Sequence, residues 1–410
     1  MVSLKNTLQF LKYLQVILVI GVVVFVLILI THPSLIGSIH NVVAFKRITK
    51  RCESEKNVAF VKTHKTGGTT VARIVEQFAL VNHLNIVRKK GESSYLHFTN
   101  RKFNFDSKKD FLQPMGVGFG DWKNYINNVF SLHARFDKKV YRSFMANNSV
   151  YITILRDPVT QFESTFDYFG IGSIIGKGQD NKTLKLETFL NNPTRFWNNL
   201  SSSKQKRSFN NQIWDLGVDP KPNVVVNETI KRLDNEFDLV MITEYFDESL
   251  LILKKMLCWE FTDILYLPRN QRSERVPLSN NVRKKIMEWN SLDTQLYQYF
   301  LKRLQDHINN YGPSFQADLV AFRRMTSFVY KLCVSGEHVW NKKKKIKYER
   351  RDDGNFTSKL CKQVDLLHVC DFGGGYILKL NLESMCKSVT SDDRSLNRSL
   401  RQMMKEISLP

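Results

Sequence analysis

Short apolar runs alternating with amphipathic stretches predict an α/β fold, a parallel sheet flanked by helices, for this 410-residue chain. Three observations carry that expectation. The runs "NVAFV" (57–61), "SVYITIL" (149–155) and "FDLVMIT" (237–243) are mostly apolar and of buried-strand length. Each is followed by residues at helical spacing. A polar loop ends the first run and Arg156 ends the second, at the carboxyl ends of strands where open α/β sheets bind ligands.

The elements follow in chain order. Val16 to Ile30 carries no polar side chain, and Leu8 to Gln15 extends the run with only Gln9, Lys12 and Gln15 interrupting. A bilayer-crossing helix needs roughly 20 such residues. No clear small-x-small cleavage site follows, so an uncleaved transmembrane signal anchor is expected over a cleaved signal peptide. The expected organisation is a cytosolic tail 1–12, an anchor 13–30, a lumenal stem 31–56 and a lumenal globular body 57–410. The body's orientation rests on six N-x-S/T sequons, at Asn147, Asn181, Asn199, Asn227, Asn355 and Asn397. The six cysteines fit an oxidising compartment. Cys333, Cys361, Cys370 and Cys386 are expected to hold at least one bridge, whereas Cys258, following Leu253 and Leu257 on a helix, reads as a core thiol.

After the first strand, "TTVARIVEQFAL" places Val71, Ile74, Val75 and Phe78 on one helical face. After the second, Pro158 suits a helix's first turn, and Val159, Phe162 and Phe166 share a face. After the third, "DESLLILKKMLCW" reads as a helix with Asp247 as its cap. One amphipathic helix is expected over 281–305, with Ile286, Trp289, Leu292, Leu296 and Phe300 inward. The charge run 342–355, "KKKKIKYERRDDGN", reads as a solvated surface loop.

Composition narrows the partners. With 61 Lys+Arg against 39 Asp+Glu the chain carries a formal net charge of +22, which favours anionic ligands. No basic–aromatic RNA motif is present, and an anchor with sequons argues against a nucleic-acid-binding protein. No C-x-x-C pair or other metal-ligand spacing is visible, so no metal is expected.

Residues 62–70, "KTHKTGGTT", are the most informative stretch. A glycine-containing loop between a buried strand and a helix N-terminus is an anion cradle, with backbone N–H groups and the helix end supplying positive potential. Gly67 and Gly68 admit close approach, Thr66, Thr69 and Thr70 offer hydroxyls, and Lys62 and Lys65 neutralise phosphate or sulfate oxygens. The nucleoside-triphosphate loop places its lysine after the glycines. Here Lys65 precedes them, which argues against a kinase or NTPase.

The order "KTGGTT" resembles instead the 5′-phosphosulfate loop of sulfotransferases that use 3′-phosphoadenosine 5′-phosphosulfate (PAPS). "ITILRDPVTQFESTFDYF" (152–169) resembles their 3′-phosphate element, with Arg156 at the strand end and Ser164 on the next helix. Together with "FVKTHKT" and "EYFDESLLILKKMLCWEFTDILY" (244–266), these motifs are similar to those of the galactose 3-O-sulfotransferase family over roughly 57–335. The loop departs from the family's "KTASST" pattern, and "RNQRSE" (269–274) departs from its "LNARRD".

The resemblance implies a PAPS-dependent sulfotransferase (P-loop-like) fold behind one transmembrane helix. It implies a Golgi single-pass type II membrane enzyme that moves a sulfonate group from PAPS to the 3-hydroxyl of a terminal β-galactose on a glycolipid or glycan. Sulfation of another sugar position, such as the uronosyl 2-hydroxyl of glycosaminoglycans, is the alternative. A homo-oligomer is compatible with either. Lys65 is the candidate for stabilising the leaving oxygen, with Lys62 behind it. Two histidines compete as general base, His133 in "FSLHARFD", which is preferred, and His64 inside the loop; Glu76 is third.

Overall fold

The computed structural model describes residues 52–89, 95–96, 111–112, 127–176, 181–267, 277–340 and 345–350. The chain divides into two units, Met1–Glu53 and Ser54–Pro410. Only Cys52 and Glu53 of the first are described, and the architecture below is that of the second.

Strand β1 (Val58–Val61) leads through the polar loop into α1 (Gly68–Val81). Strands β2 (Tyr95–Leu96), β3 (Val129–Phe130) and β4 (His133–Ala134) and helix α2 (Lys138–Arg142) follow, and then β5 (Val150–Leu155) runs into α3 (Pro158–Tyr168). Four short helices come next, α4 (Lys182–Asn191), α5 (Pro193–Asn198), α6 (Ser202–Arg207) and α7 (Asn211–Asp215). Helix α8 (Val226–Glu236) precedes β6 (Leu239–Ile242). The described chain continues through α9 (Phe246–Leu257), α10 (Phe261–Ile264), α11 (Asn280–Trp289), α12 (Ser291–Asn309) and α13 (Phe315–Cys333) to an antiparallel hairpin of β7 (Val334–Trp340) and β8 (Lys345–Arg350).

The central sheet is parallel in the order β3-β1-β5-β6. Val58 to Val61 pair with Val150 to Thr153, and Ile152 to Leu155 pair with Leu239 to Ile242. Every residue of β1 and β6 is buried. Burial on both faces explains why these strands read as continuous apolar runs rather than alternating ones. The chain passes from β1 to β3 on one side and then to β5 on the other, so the order reverses at β1. The loop after β1 and Arg156 after β5 therefore share the crevice at the strands' carboxyl ends. The main core packs the sheet against α1, α9 and α12. A second cluster joins Val159, Phe162 and Phe166 of α3 to Leu186 and Phe189 of α4 and Ile286 of α11.

Four expectations are corrected. The single helix over 281–305 is two, because Asn290 between them turns its side chain inward: its Oδ1 accepts from the Asn210 N–H at 2.8 Å and its Nδ2 donates to the Ile286 carbonyl at 3.1 Å. Asp247 lies inside the first turn of α9 rather than capping it, and accepts from the Tyr266 hydroxyl and Arg323. Residues 345–350 of the charge run form β8 rather than a loop. Cys258 is not a free thiol: it is disulfide-bonded. The span 13–30, the segment 269–274, Cys361, Cys370, Cys386, Asn355 and Asn397 lie outside the described residues, as does the side chain of Cys333. Among the described residues no helix is long and apolar enough to cross a membrane.

Candidate active site

The loop after β1 is held from beneath by hydroxyls. Thr63 Oγ1 donates to the Ile154 carbonyl at 2.5 Å, and the Thr66 hydroxyl, 2.7 Å away, donates to Thr63 Oγ1. Thr66 is wholly buried, so its side chain braces the loop. Thr243, following β6, shares its hydroxyl proton between the carbonyls of Thr66 and Leu155 at 2.6 and 2.9 Å. The ends of β1, β5 and β6 are thereby joined.

Two residues of the loop adopt left-handed backbone, Lys65 at φ 64° and Gly67 at φ 82°. Glycine accepts that conformation without cost, whereas for a side-chain-bearing residue it costs about 1–2 kcal/mol. Helix α1 opens at Gly68, and Gly67 caps it without a side-chain hydrogen bond. No carboxylate stands in the first turn, so the positive end of the helix is directed at the loop. Thr70 is buried and donates its N–H to the Gly67 carbonyl at 2.9 Å, while Thr69 is half-buried. Lys65 Nζ rests over the Tyr168 ring, 3.9 Å from its centroid.

Arg156 closes the other side. Gln212 grips its backbone twice, accepting from its N–H at 2.8 Å and donating to its carbonyl at 2.9 Å. Its Nε donates to Thr160 Oγ1 at 3.0 Å and its Nη1 to the Lys65 carbonyl at 3.1 Å. Pro158 begins α3 as expected, with Asp157 as the cap. Ser164 sits on the second turn of α3 and is buried.

The two candidate histidines are not alternatives in separate places. Their rings stack at 4.2 Å with an interplanar angle of 22°. His133 is half-buried on β4, and its Nδ1–H donates to the Lys62 carbonyl at 3.2 Å. Burial, Lys62 and the neighbouring His64 hold its pKa well below the ordinary histidine value. His64 is 8% exposed. Asp215 Oδ2 lies 2.8 Å from both its backbone N and its ring Nδ1, and Arg207 Nη1 donates to Asp215 Oδ1 at 3.0 Å. Burial pushes the His64 pKa down and the Asp215 carboxylate pulls it back up, with Arg207 and Lys62 adding to the depression. Both rings are thus neutral near pH 7, the form in which an imidazole accepts a proton.

Glu76 is unsuited to that role. Its oxygens accept from Arg73 at 2.8 Å, Arg88 at 3.2 Å and the Ser131 hydroxyl at 2.6 Å. These donors outweigh its burial and hold its pKa at about 2, so it serves as a fixed counter-ion to Arg73 and Arg88.

Asp215, Arg207, Gln161, Gln212 and Asp293 were not singled out by the sequence reading. Gln161 Nε2 donates to the His64 carbonyl at 2.9 Å. Asp293 accepts from the backbone N–H groups of Gln212 and Ile213 at 3.0 and 2.8 Å, fixing α7. The one available signal was "NNQIWDLG" (210–217), where amides and an aspartate interrupt an apolar segment without period. Among the described residues no group of three or more His, Cys, Asp or Glu side chains is placed to hold a metal ion.

The family model described as galactose-3-O-sulfotransferase matches residues 1–353. The chain is 31% identical over 296 residues to galactosylceramide sulfotransferase of Bos taurus, covering 70% of this chain and 66% of that protein. It is 31% identical over 294 residues to the Homo sapiens galactosylceramide sulfotransferase, with the same coverage. It is 31% identical over 253 residues to galactose-3-O-sulfotransferase 2 of Homo sapiens, covering 60% of each chain. The chain thus spans just under two thirds of the length of the first of these relatives.

Proposed function

The chain belongs to the galactose-3-O-sulfotransferase family, and from that premise we propose that it transfers a sulfonate group from PAPS to the 3-hydroxyl of a terminal β-galactose on a glycolipid or glycan. One observation carries the reading. A glycine-bearing anion loop and a strand-end arginine meet across adjacent parallel strands, with two neutral imidazoles stacked beside them. The residues fit the donor: Gly67 and the uncapped start of α1 present backbone N–H groups, and Lys62, Lys65 and Arg156 present cations.

When bound, PAPS supplies an activated sulfonate group. Lys62, Lys65, Thr66, Gly67, Gly68, Thr69 and Thr70 would hold its 5′-phosphosulfate end, and Arg156 and Ser164 would hold the 3′-phosphate. Lys65 brings its ammonium to the oxygen on which charge develops, a contribution of the electrostatic kind that dominates such displacements. One of the stacked pair His64 and His133 takes the proton of the attacking sugar hydroxyl, worth typically about 10²–10⁴ in rate. The inferred setting is the Golgi lumen behind a single N-terminal anchor. In support, the four described sequon asparagines, Asn147, Asn181, Asn199 and Asn227, are all exposed, as an N-glycan requires.

The test is full-length protein with PAPS and an acceptor panel of galactosylceramide, lactosylceramide, N-acetyllactosamine and a uronate-containing glycosaminoglycan, with the sulfated position mapped. Product bearing sulfate at the galactose 3-position is expected. Transfer confined to the glycosaminoglycan overturns the reading. Glycosidase treatment of protein made in animal cells is expected to lower its apparent mass; no shift overturns the lumenal placement.

A further inference from the structure

We propose that Asp215 is a positioning residue that makes His64 the proton acceptor of the stacked pair. The inference rests on the sulfonate-transfer reading above and goes beyond it by assigning a role to a residue on another element. Asp215 is the last residue of α7 and is 1% exposed. Its Oδ2 is reached by two groups of the same residue, the His64 backbone N and ring Nδ1, each at 2.8 Å. One carboxylate oxygen therefore fixes both the loop position and the ring orientation of His64.

The Asp215 contact points to one tautomer. Arg207 Nη1 is 3.0 Å from Asp215 Oδ1 and also 3.0 Å from His64 Nδ1. If Nδ1 carried a lone pair toward Asp215 Oδ2, two acceptors would face each other at 2.8 Å in a buried site. A proton on Nδ1 turns that contact into a charge-assisted hydrogen bond, and the Arg207 N–H is satisfied by Oδ1. The basic nitrogen of His64 is then Nε2. The charged and titratable groups facing the ring are Lys62 on the loop, His133 on β4, Arg207 on α6 and Asp215 on α7. Arg207 and Lys62 oppose protonation of His64, and the Asp215 carboxylate favours it. As the proton leaves the sugar oxygen for Nε2, the imidazolium that forms is stabilised by the Asp215 carboxylate, which keeps its own charge. His64 and Arg207 together hold Asp215 ionised against its burial, and Asp293 holds the α7 backbone.

Asp215→Asn in the full-length protein tests the role. The expected kcat is lower by about 10²-fold or more, because an amide N–H facing Nδ1 forces the other tautomer. The Kd for 3′,5′-ADP is expected to stay within about three-fold, since the loop's cations are untouched. The acid limb of the kcat–pH profile is expected to move to lower pH, because the carboxylate that raised the His64 pKa is gone. Asp215→Glu is expected to restore part of the rate. Unchanged kcat overturns the proposal. So does a loss of 3′,5′-ADP affinity that parallels the loss of rate, which means that Asp215 only braces the loop. A readout independent of turnover is ¹⁵N NMR of histidine-labelled wild-type protein, with His64 identified from a His64→Gln variant. A protonated Nδ1 and bare Nε2 are expected; the opposite tautomer overturns the proposal even if Asp215→Asn does not fold. If wild type transfers no sulfonate to any galactoside, the functional reading fails, and this spectrum still decides the pairing.

Discussion

The Arg156 guanidinium donates through Nη1 to the Lys65 carbonyl at 3.1 Å, joining the end of β5 to the left-handed turn of the loop after β1. The residue expected to hold one end of the donor thus also shapes the cradle for the other. Arg156→Ala is expected to weaken 3′,5′-ADP binding by roughly 1.5–3 kcal/mol, the range for a lost charge-assisted hydrogen bond. Calorimetry with 3′,5′-ADP and 5′-AMP separates the two roles: preference for the 3′-phosphate is lost with the side chain, while weaker binding of both nucleotides reports the loosened Lys65 turn. A wild-type protein that binds the two nucleotides equally well removes Arg156 from the 3′-phosphate.

The stacked histidines predict an unequal pair of variants. His64→Ala is expected to lower kcat by about 10²-fold or more, while His133→Ala loses the stacking partner and falls by less. Wild-type turnover is expected to persist at pH values below the ordinary histidine value of 6.5, since both pKa values are depressed by burial. The pH–rate profiles of wild type and both variants check this; an acid limb at or above 6.5 in wild type contradicts it.

Acid stability follows from the same burial. A histidine whose folded pKa lies below its unfolded value contributes stability that is present above pH 6.5 and lost as the pH falls toward the folded value. Glu76 adds a second window, with stability present above its unfolded value of 4.5 and lost as pH falls toward 2. Asp293 acts the other way: raised to about 7 by burial, it contributes stability that is present below 3.8 and lost as pH rises through 7. Denaturation of full-length protein followed between pH 4 and 8 is expected to show His133→Gln flattening the decline below 6.5; an unchanged slope rejects the assignment.

Glu76→Gln is expected to destabilise by roughly 3–5 kcal/mol, the cost of leaving partly uncompensated buried charge. Arg88 is 3% exposed, and its Nη2 makes no hydrogen bond among the described residues, so it has little to replace the carboxylate. Urea denaturation measures the loss; a change under about 1 kcal/mol shows that the Arg73–Glu76–Arg88 cluster relaxes into solvent.

Gly217 couples the fold to the proposed dyad. It sits two residues after Asp215 at φ 89°, and a Cβ there is driven into the Phe136 carbonyl oxygen. Phe136 in turn donates its N–H to the Asp215 carbonyl at 2.9 Å. Gly217→Ala is expected to cost at least about 2 kcal/mol and to disturb the Asp215 end of α7. Thermal melting and kcat measured together check this, and a variant that melts with wild type rejects the close approach.

Much of this molecule was legible in the residue order. The short, mostly apolar runs at 57–61, 149–155 and 237–243, bounded by polar residues, read as strands of a covered sheet, and the structure places β1, β5 and β6 within them. "KTHKTGGTT" announced an anion loop through its glycines, cations and position between strand and helix. Local periodicity also placed Val159, Phe162 and Phe166 together, and the structure packs them in one cluster.

Tertiary structure decided what local pattern does not encode. The helix over 281–305 was broken by a bond from Asn290 to Asn210, eighty residues away in sequence, which periodicity cannot register. The stacking of His64 on His133 depends on how β4 lies beside the β1 end, and the sequence alone left them as rivals. Asp215 and Gln212 reach the site from a five-residue helix that Asp293 pins in place. Their sequence carries no motif, because the function proposed for them comes from pairing a buried charge across 151 residues, a long-range electrostatic requirement that only the folded chain defines.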